Sequence, residues 1–207
     1  MSPTVTAIVR KAQGVVAVTT DGGDHPSLLP LEAVILHRLH EGSELTLAAW
    51  QEICAEGTLL LATRRGLELL AHKQRTERDI RAALAFDFQP ADIDRALKRL
   101  LGLGFLDDRA WSERYLGGQR AQTRGRSLLR GVLRARGVAD EVATQALDGR
   151  DELMAATEAA RRRAPSLRSI ADVERRRRRL YDFLRRRGFA DDVCRRAVES
   201  ALADSET

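Results

Sequence analysis

Hydrophobic and polar positions change their period at about residue 50. Between Val5 and Thr20, β-branched residues alternate and cluster, first in Val5-Thr6-Ala7-Ile8-Val9 and then in Val15-Val16-Ala17-Val18-Thr19-Thr20, with Gln13-Gly14 between them. That pattern predicts a short β-hairpin. Asp21-Gly22-Gly23-Asp24-His25-Pro26 has the composition of a turn, and after it Leu31, Val34, Ile35 and Leu39 recur at helical spacing. Residues 1–55 are therefore expected to form a small mixed module. Beyond it the strand pattern fades, and apolar residues recur three and four apart, punctuated by Gly or Pro. Thr76-Glu77-Arg78-Asp79 resembles a shortened capping box, and Gln89-Pro90 places proline at a first helical position.

The helical region repeats itself. Arg126 to Leu147 overlays Arg177 to Val198 without a gap at an offset of about 51, pairing Leu129 with Leu180, Leu133 with Leu184 and Arg134 with Arg185. Gly137 pairs with Gly188, Ala139 with Ala190, and Asp140 with Asp191. Mechanically, leucines four apart face a core, glycine ends the helix in a left-handed conformation, and aspartate opens the next one. Asp107 to Gln119 and Arg150 to Arg163 supply a preceding amphipathic stretch, so each unit has three helices. A weaker copy runs from about Gly57 to Leu101. The expected organisation is mainly α, with three tandem three-helix repeats at 56–101, 102–148 and 149–207 stacking into an elongated arc after the hairpin module.

Composition agrees with helices. Apolar residues make up 43% of the 207-residue chain but aromatics only 4%, so its core must rest on Leu, Val, Ile and Ala. The net charge of +5 favours polyanions, and lysine occurs only at Lys11, Lys73 and Lys98, leaving arginine to carry the positive charge. Guanidinium binds phosphate or carboxylate in bidentate fashion. Cys54 and Cys194 lie far apart with no C-x-x-C partner, which predicts two reduced, inert thiols. No apolar run approaches the roughly 20 residues that span a bilayer, so a cytoplasmic protein is expected.

The most specific motif, Leu103-Gly104-Phe105-Leu106-Asp107-Asp108-Arg109-Ala110-Trp111 followed by Tyr115, resembles the glycine–aromatic–isoleucine–Asp-Asp/Glu stretch of the RecX family, bacterial regulators of the RecA recombinase. Arg124-Gly125 to Leu133, then Arg136-Gly137-Val138, is similar to its basic-Gly, Leu and Lys-Gly-Ile positions, and Arg75-Thr76-Glu77 to its Arg-Ser-Glu element. The matches cover roughly residues 55–200. The resemblance implies three three-helix repeats, binding to RecA and its nucleoprotein filament, and inhibition of recombinase, ATPase and co-protease activities, with no chemistry of its own. Two features depart from the pattern. Ala139 and Ala190 stand where a Ser or Thr N-cap is expected, and the first unit lacks the helix-ending glycine.

Candidate binding residues are arginines. From Arg109 to Arg136 the only acid is Glu113, and Arg126, Arg130 and Arg134 recur on one helical stripe, with Arg120 and Arg124 just before it. Acids to neutralise this stripe are missing nearby in sequence. Arg175-Arg176-Arg177-Arg178-Arg179 covers every face of a helix, so Arg176 or Arg177 must approach the apolar side with its stem while its guanidinium reaches outward, and Arg175, Arg176, Arg178, Arg179 and Arg186 form a second candidate patch. Together with weak, non-specific contact to nucleic acid, these patches are expected to engage the filament from a monomer. A phosphate-tracking nucleic-acid binder without a protein partner is the competing reading.

Enzyme chemistry has no footing. Asp107-Asp108 suits a helix start better than a metal site, because no further acid or His stands at ligand spacing. Trp111 and Tyr115, one turn apart, are expected to pack in a core. His37 and His40, on the helix expected after the turn, have no acid or cysteine to complete a site. No phosphate-binding glycine motif is present, and no cofactor is expected.

Overall fold

Gln13 and Gly14, both left-handed at φ +58° and +71°, turn strand β1 (Val5–Arg10) back onto β2 (Val15–Thr20). The expected hairpin is present in the computed structural model, which describes residues 2–203. A third antiparallel strand, β3 (Ser27–Pro30), pairs with β2 from Val15↔Pro30 to Val18↔Ser27. Helix α1 (Leu31–Leu36) follows at once and is short. Arg38 takes φ +50° just beyond it, so His37 and His40 lie after the helix rather than on it, a correction to the longer helix expected there.

Helix α2 (Leu47–His72) begins at the Thr46 cap, whose hydroxyl accepts from the Ala49 amide. At 1.5 Å per residue its 26 residues extend about 39 Å. Ile53, in its first half, closes the sheet core with Val5, Val16, Val18 and Leu29. Leu67, Leu69 and Leu70, in its second half, pack on a separate core made by α3 (Glu77–Leu84) and α4 (Pro90–Gly102). One helix thus runs through residue 55 and serves both cores. These elements form the unit Met1–Leu106.

The second unit, Asp107–Thr207, holds two more three-helix cores. The first of them uses α5 (Asp108–Gly117), the single turn α6 (Gln119–Gln122), α7 (Arg126–Ala135) and α8 (Asp140–Leu147). The other uses α9 (Glu152–Arg163), a 3-10 turn at Ala164–Leu167, α10 (Val173–Arg186) and α11 (Asp191–Ala203). Asp107 caps α5 by accepting from the Ala110 amide, as its position predicts. Trp111 and Tyr115 stack on each other, 5.4 Å apart and 6° from parallel, against the core of Leu129, Leu133 and Leu147.

The repeat survives at atomic detail. Leu129, Leu133, Leu180 and Leu184 are fully buried, and Gly137 and Gly188 share φ +84°. Ala139 and Ala190 open α8 and α11 through backbone carbonyls alone, which accept from the Ala143 and Cys194 amides. The missing side-chain cap is offset by an ion pair across each glycine turn, Arg134–Asp140 at 3.0 Å and Arg185–Asp191 at 2.9 Å. Each aspartate therefore faces both a helix N-terminus and a guanidinium.

Candidate functional site

The arginine stripe of α7 does not lack acids. Arg126 Nη1 lies 3.3 Å from Asp148 and its Nη2 donates to the Leu147 carbonyl at 2.9 Å. Arg130 Nη2 donates to Thr144 Oγ1 at 2.9 Å, and Arg134 donates to both oxygens of Asp140 at 3.0 Å. Helix α8 returns antiparallel along α7 and delivers residues that are remote in sequence. This corrects the expectation of an unneutralised stripe. Arg134 and Asp140 are 67% and 63% exposed, however, and a pair so exposed contributes only about 0–1 kcal/mol, so an incoming anion can displace the aspartate. Before the stripe, Arg120 is exposed and has no ion pair among the described residues, while Arg124 Nη1 donates to the Tyr115 hydroxyl at 3.2 Å.

The start of α7 forms a seam with the third repeat. The Gly125 amide donates to the Arg187 carbonyl at 2.8 Å, and the Arg126 amide donates to Glu152 Oε1 at 2.7 Å. Arg187 stacks over Phe183 at 4.7 Å and donates to the carbonyl and hydroxyl of Thr123. Burial, and the like charge of Arg124 beside it, lower the Arg187 pKa. Arg150 donates to the Ala121 carbonyl from the other side. A cleft of about 490 Å³ runs along the seam, walled by Arg126, Arg130, Arg134 and Arg185 together with Glu152.

Glu152 is the seam residue that periodicity could not reveal, because it caps a helix 26 residues earlier. Burial raises its carboxyl above the ordinary carboxylate value, against the opposing effects of the Arg126 amide and the charges of Arg126 and Arg150. A carboxyl whose folded pKa is raised binds its proton more tightly when folded. Stability therefore rises as pH falls through the raised value, and the gain is complete below the unfolded value. Glu152→Gln keeps the acceptor without the buried charge, so it is expected to abolish this pH dependence and to be slightly more stable than the parent at pH 7, as read by chemical denaturation. Glu152→Ala removes the cap and should cost about 1 kcal/mol in chemical denaturation at pH 7.

The second patch is cleaner. On α10, at about 100° per residue, Arg175, Arg178, Arg179 and Arg186 share one exposed face with a single acid, Asp182. No ion pair engages those four guanidiniums among the described residues. Arg176 turns the other way: it is half-buried, and its Nε is shut off from solvent with no hydrogen-bond partner. It is thus not part of the outward patch to which the sequence assigned it. Arg177 pairs with Glu174 at 3.0 Å. Arg195 and Arg196, exposed on α11, add to the basic surface of this repeat.

Among the described residues, no group of three or more His, Cys, Asp or Glu side chains is placed to hold a metal ion. His37 does meet an acid, Glu56 at 3.0 Å, which sequence spacing did not indicate. Both cysteines are free thiols, and burial pushes Cys194 up to about 11. No described helix is long and apolar enough to cross a membrane.

Known proteins are similar to this chain in sequence and fold. A family model described as RecX, third three-helix domain, matches residues 150–198. The regulatory protein RecX of Prosthecochloris aestuarii is 30% identical over 145 residues, covering 69% of this chain and 95% of its own length. That of Geobacillus kaustophilus is 29% identical over 197 residues, covering 93% of this chain and 72% of its own. A crystal structure of regulatory protein RecX superposes with a TM-score of 0.68 at 25% identity, covering 92% of this chain and 96% of the other. With this likeness running from the hairpin through the third repeat, the chain belongs to the RecX family of regulatory proteins.

Proposed function

We propose that the chain binds the RecA recombinase and its nucleoprotein filament and inhibits recombinase, ATPase and co-protease activities, so modulating homologous recombination and the DNA-damage response. It acts without chemistry of its own, in the cytoplasm and as a monomer. The observation that carries this reading beyond family membership is the outward face of α10, where Arg175, Arg178, Arg179 and Arg186 are exposed with no ion pair among the described residues. Unpaired guanidiniums on a helix that is already folded can engage the acidic or phosphate surface of a filament without first breaking an internal contact. Arg120 and the displaceable Arg134 extend the surface into the second repeat. Successive contacts along a polymer add by multivalency, so the filament is bound far more tightly than one protomer.

The test is filament-dependent ATP hydrolysis, which should fall at substoichiometric amounts of the chain. Undiminished hydrolysis at every ratio would refute the proposal. A sequence-non-specific nucleic-acid binder has the same charge to support it and differs in its readout. Such a binder retains the chain on naked DNA with a linear log–log salt dependence and shows no preference for the filament.

A further inference from the structure

The third repeat contains a recess that the outward arginine face does not use. Its volume is about 280 Å³, and it is walled by Arg161, Arg168 and Arg176 together with Leu167, Leu180 and Leu202. The 3-10 turn at Ala164–Leu167 folds over it between α9 and α10. Arg161 is in the last turn of α9, where a cation also serves the helix dipole. That explanation does not extend to Arg168, which follows the 3-10 turn, or to Arg176, which belongs to the first turn of α10, where a dipole favours anions over cations. Arg168 and Arg176 stand together at one recess, no acid lines it among the described residues, and Arg176 Nε is a buried donor with no partner. Leaving a charged group's donor unsatisfied costs more than a neutral one, and an oxyanion would relieve it.

We propose that this recess binds a phosphoryl group. Its size lies just below the roughly 300–1,000 Å³ of ordinary small-molecule sites, so it admits a phosphate but not the whole of a nucleotide. The phosphoryl group can be free, at the end of a nucleotide, or part of a nucleic-acid backbone. The site is separate from the α10 face, and its success or failure is read without any filament.

The experiment follows the arginine Nε–Hε resonances of the full chain during titration with inorganic phosphate, a nucleoside 5′-monophosphate or a short single-stranded oligonucleotide, at ionic strength held constant with chloride. The expected result is a saturable shift of the Arg176 signal, weakened at least tenfold in Arg176→Gln (followed on the remaining signals) and in Arg168→Gln, both with the parent melting temperature in the absence of phosphate. A response to phosphate and monophosphate identifies a small-anion site, whereas a response to the oligonucleotide alone identifies a backbone site. Shifts that chloride reproduces in full, or phosphate affinity unchanged in Arg168→Gln, overturn the proposal, and Arg168→Gln keeps it falsifiable should Arg176→Gln fail to fold.

Discussion

Gly125→Ala is expected to lower the melting temperature by about 6–12 °C, on the order of 3 kcal/mol at about 2–4 °C per kcal/mol for a chain of this size. Gly125 has φ −78° and ψ 162°, which any residue adopts, so conformational strain contributes nothing. The cost is steric. A Cβ there would lie 2.2 Å from the Gly188 carbonyl oxygen and 2.4 Å from the Phe189 nitrogen, and backbone atoms cannot swing aside. Relief requires the second and third repeats to part, breaking the bonds from Gly125 to Arg187 and from Arg187 to Thr123. Gly149→Ala in the same unit provides the comparison: its φ of +75° imposes strain of about 1–2 kcal/mol, but a Cβ there meets nothing within 4 Å. Amide hydrogen exchange should show the seam opening in Gly125→Ala and staying protected in Gly149→Ala. Equal melting temperatures for the two variants would mean that the seam does not hold the repeats together.

Sequence pattern carried the parts of the fold that depend on local chemistry. Alternation located the hairpin, Thr76 and Asp107 marked helix starts, and the offset between Leu129 and Leu180 exposed the repeat. It failed where the deciding partner is distant. Strand β3 has only four residues and is a strand because β2 offers a free edge, which no pattern within Ser27–Pro30 expresses. Helix α2 reads as the start of a repeat but extends back into the module, since Ile53 and Leu70 face different cores from one helix.

The arginines divide along the same line. On α10 the helical step alone separates Arg175, Arg178, Arg179 and Arg186 from Arg176, so the outward patch was nearly legible. On α7 the acids that meet Arg126 and Arg134 come from α8 and the residue after it. Counting acids along α7 itself therefore misjudged the charge of that surface. Glu152 lay equally out of reach, because a cap supplied from another repeat has no signature in the capped helix.

Replacing Arg175, Arg178, Arg179 and Arg186 together by glutamate is expected to abolish inhibition of filament ATP hydrolysis while leaving the fold intact. All four side chains are exposed and none has an ion pair among the described residues, so each change falls within the roughly ±0.5 kcal/mol of ordinary surface substitutions. The change in net charge is large, from +4 to −4 over these four positions, and reversing charge at a complementary surface slows encounter as well as weakening the complex. If the partners are phosphates, the milder set of four glutamines should lower the log–log salt slope by up to about four, one for each lost contact. The matching change on α7, Arg126, Arg130 and Arg134 to glutamine, should behave differently. It removes bonds to Asp148, Leu147, Thr144 and Asp140, so the melting temperature should fall along with inhibition. The α10 variant thus separates binding from folding, and the α7 variant does not. Should the glutamate variant inhibit as the parent does, the outward face of α10 is a solvated surface and the contact with the filament lies elsewhere on the chain.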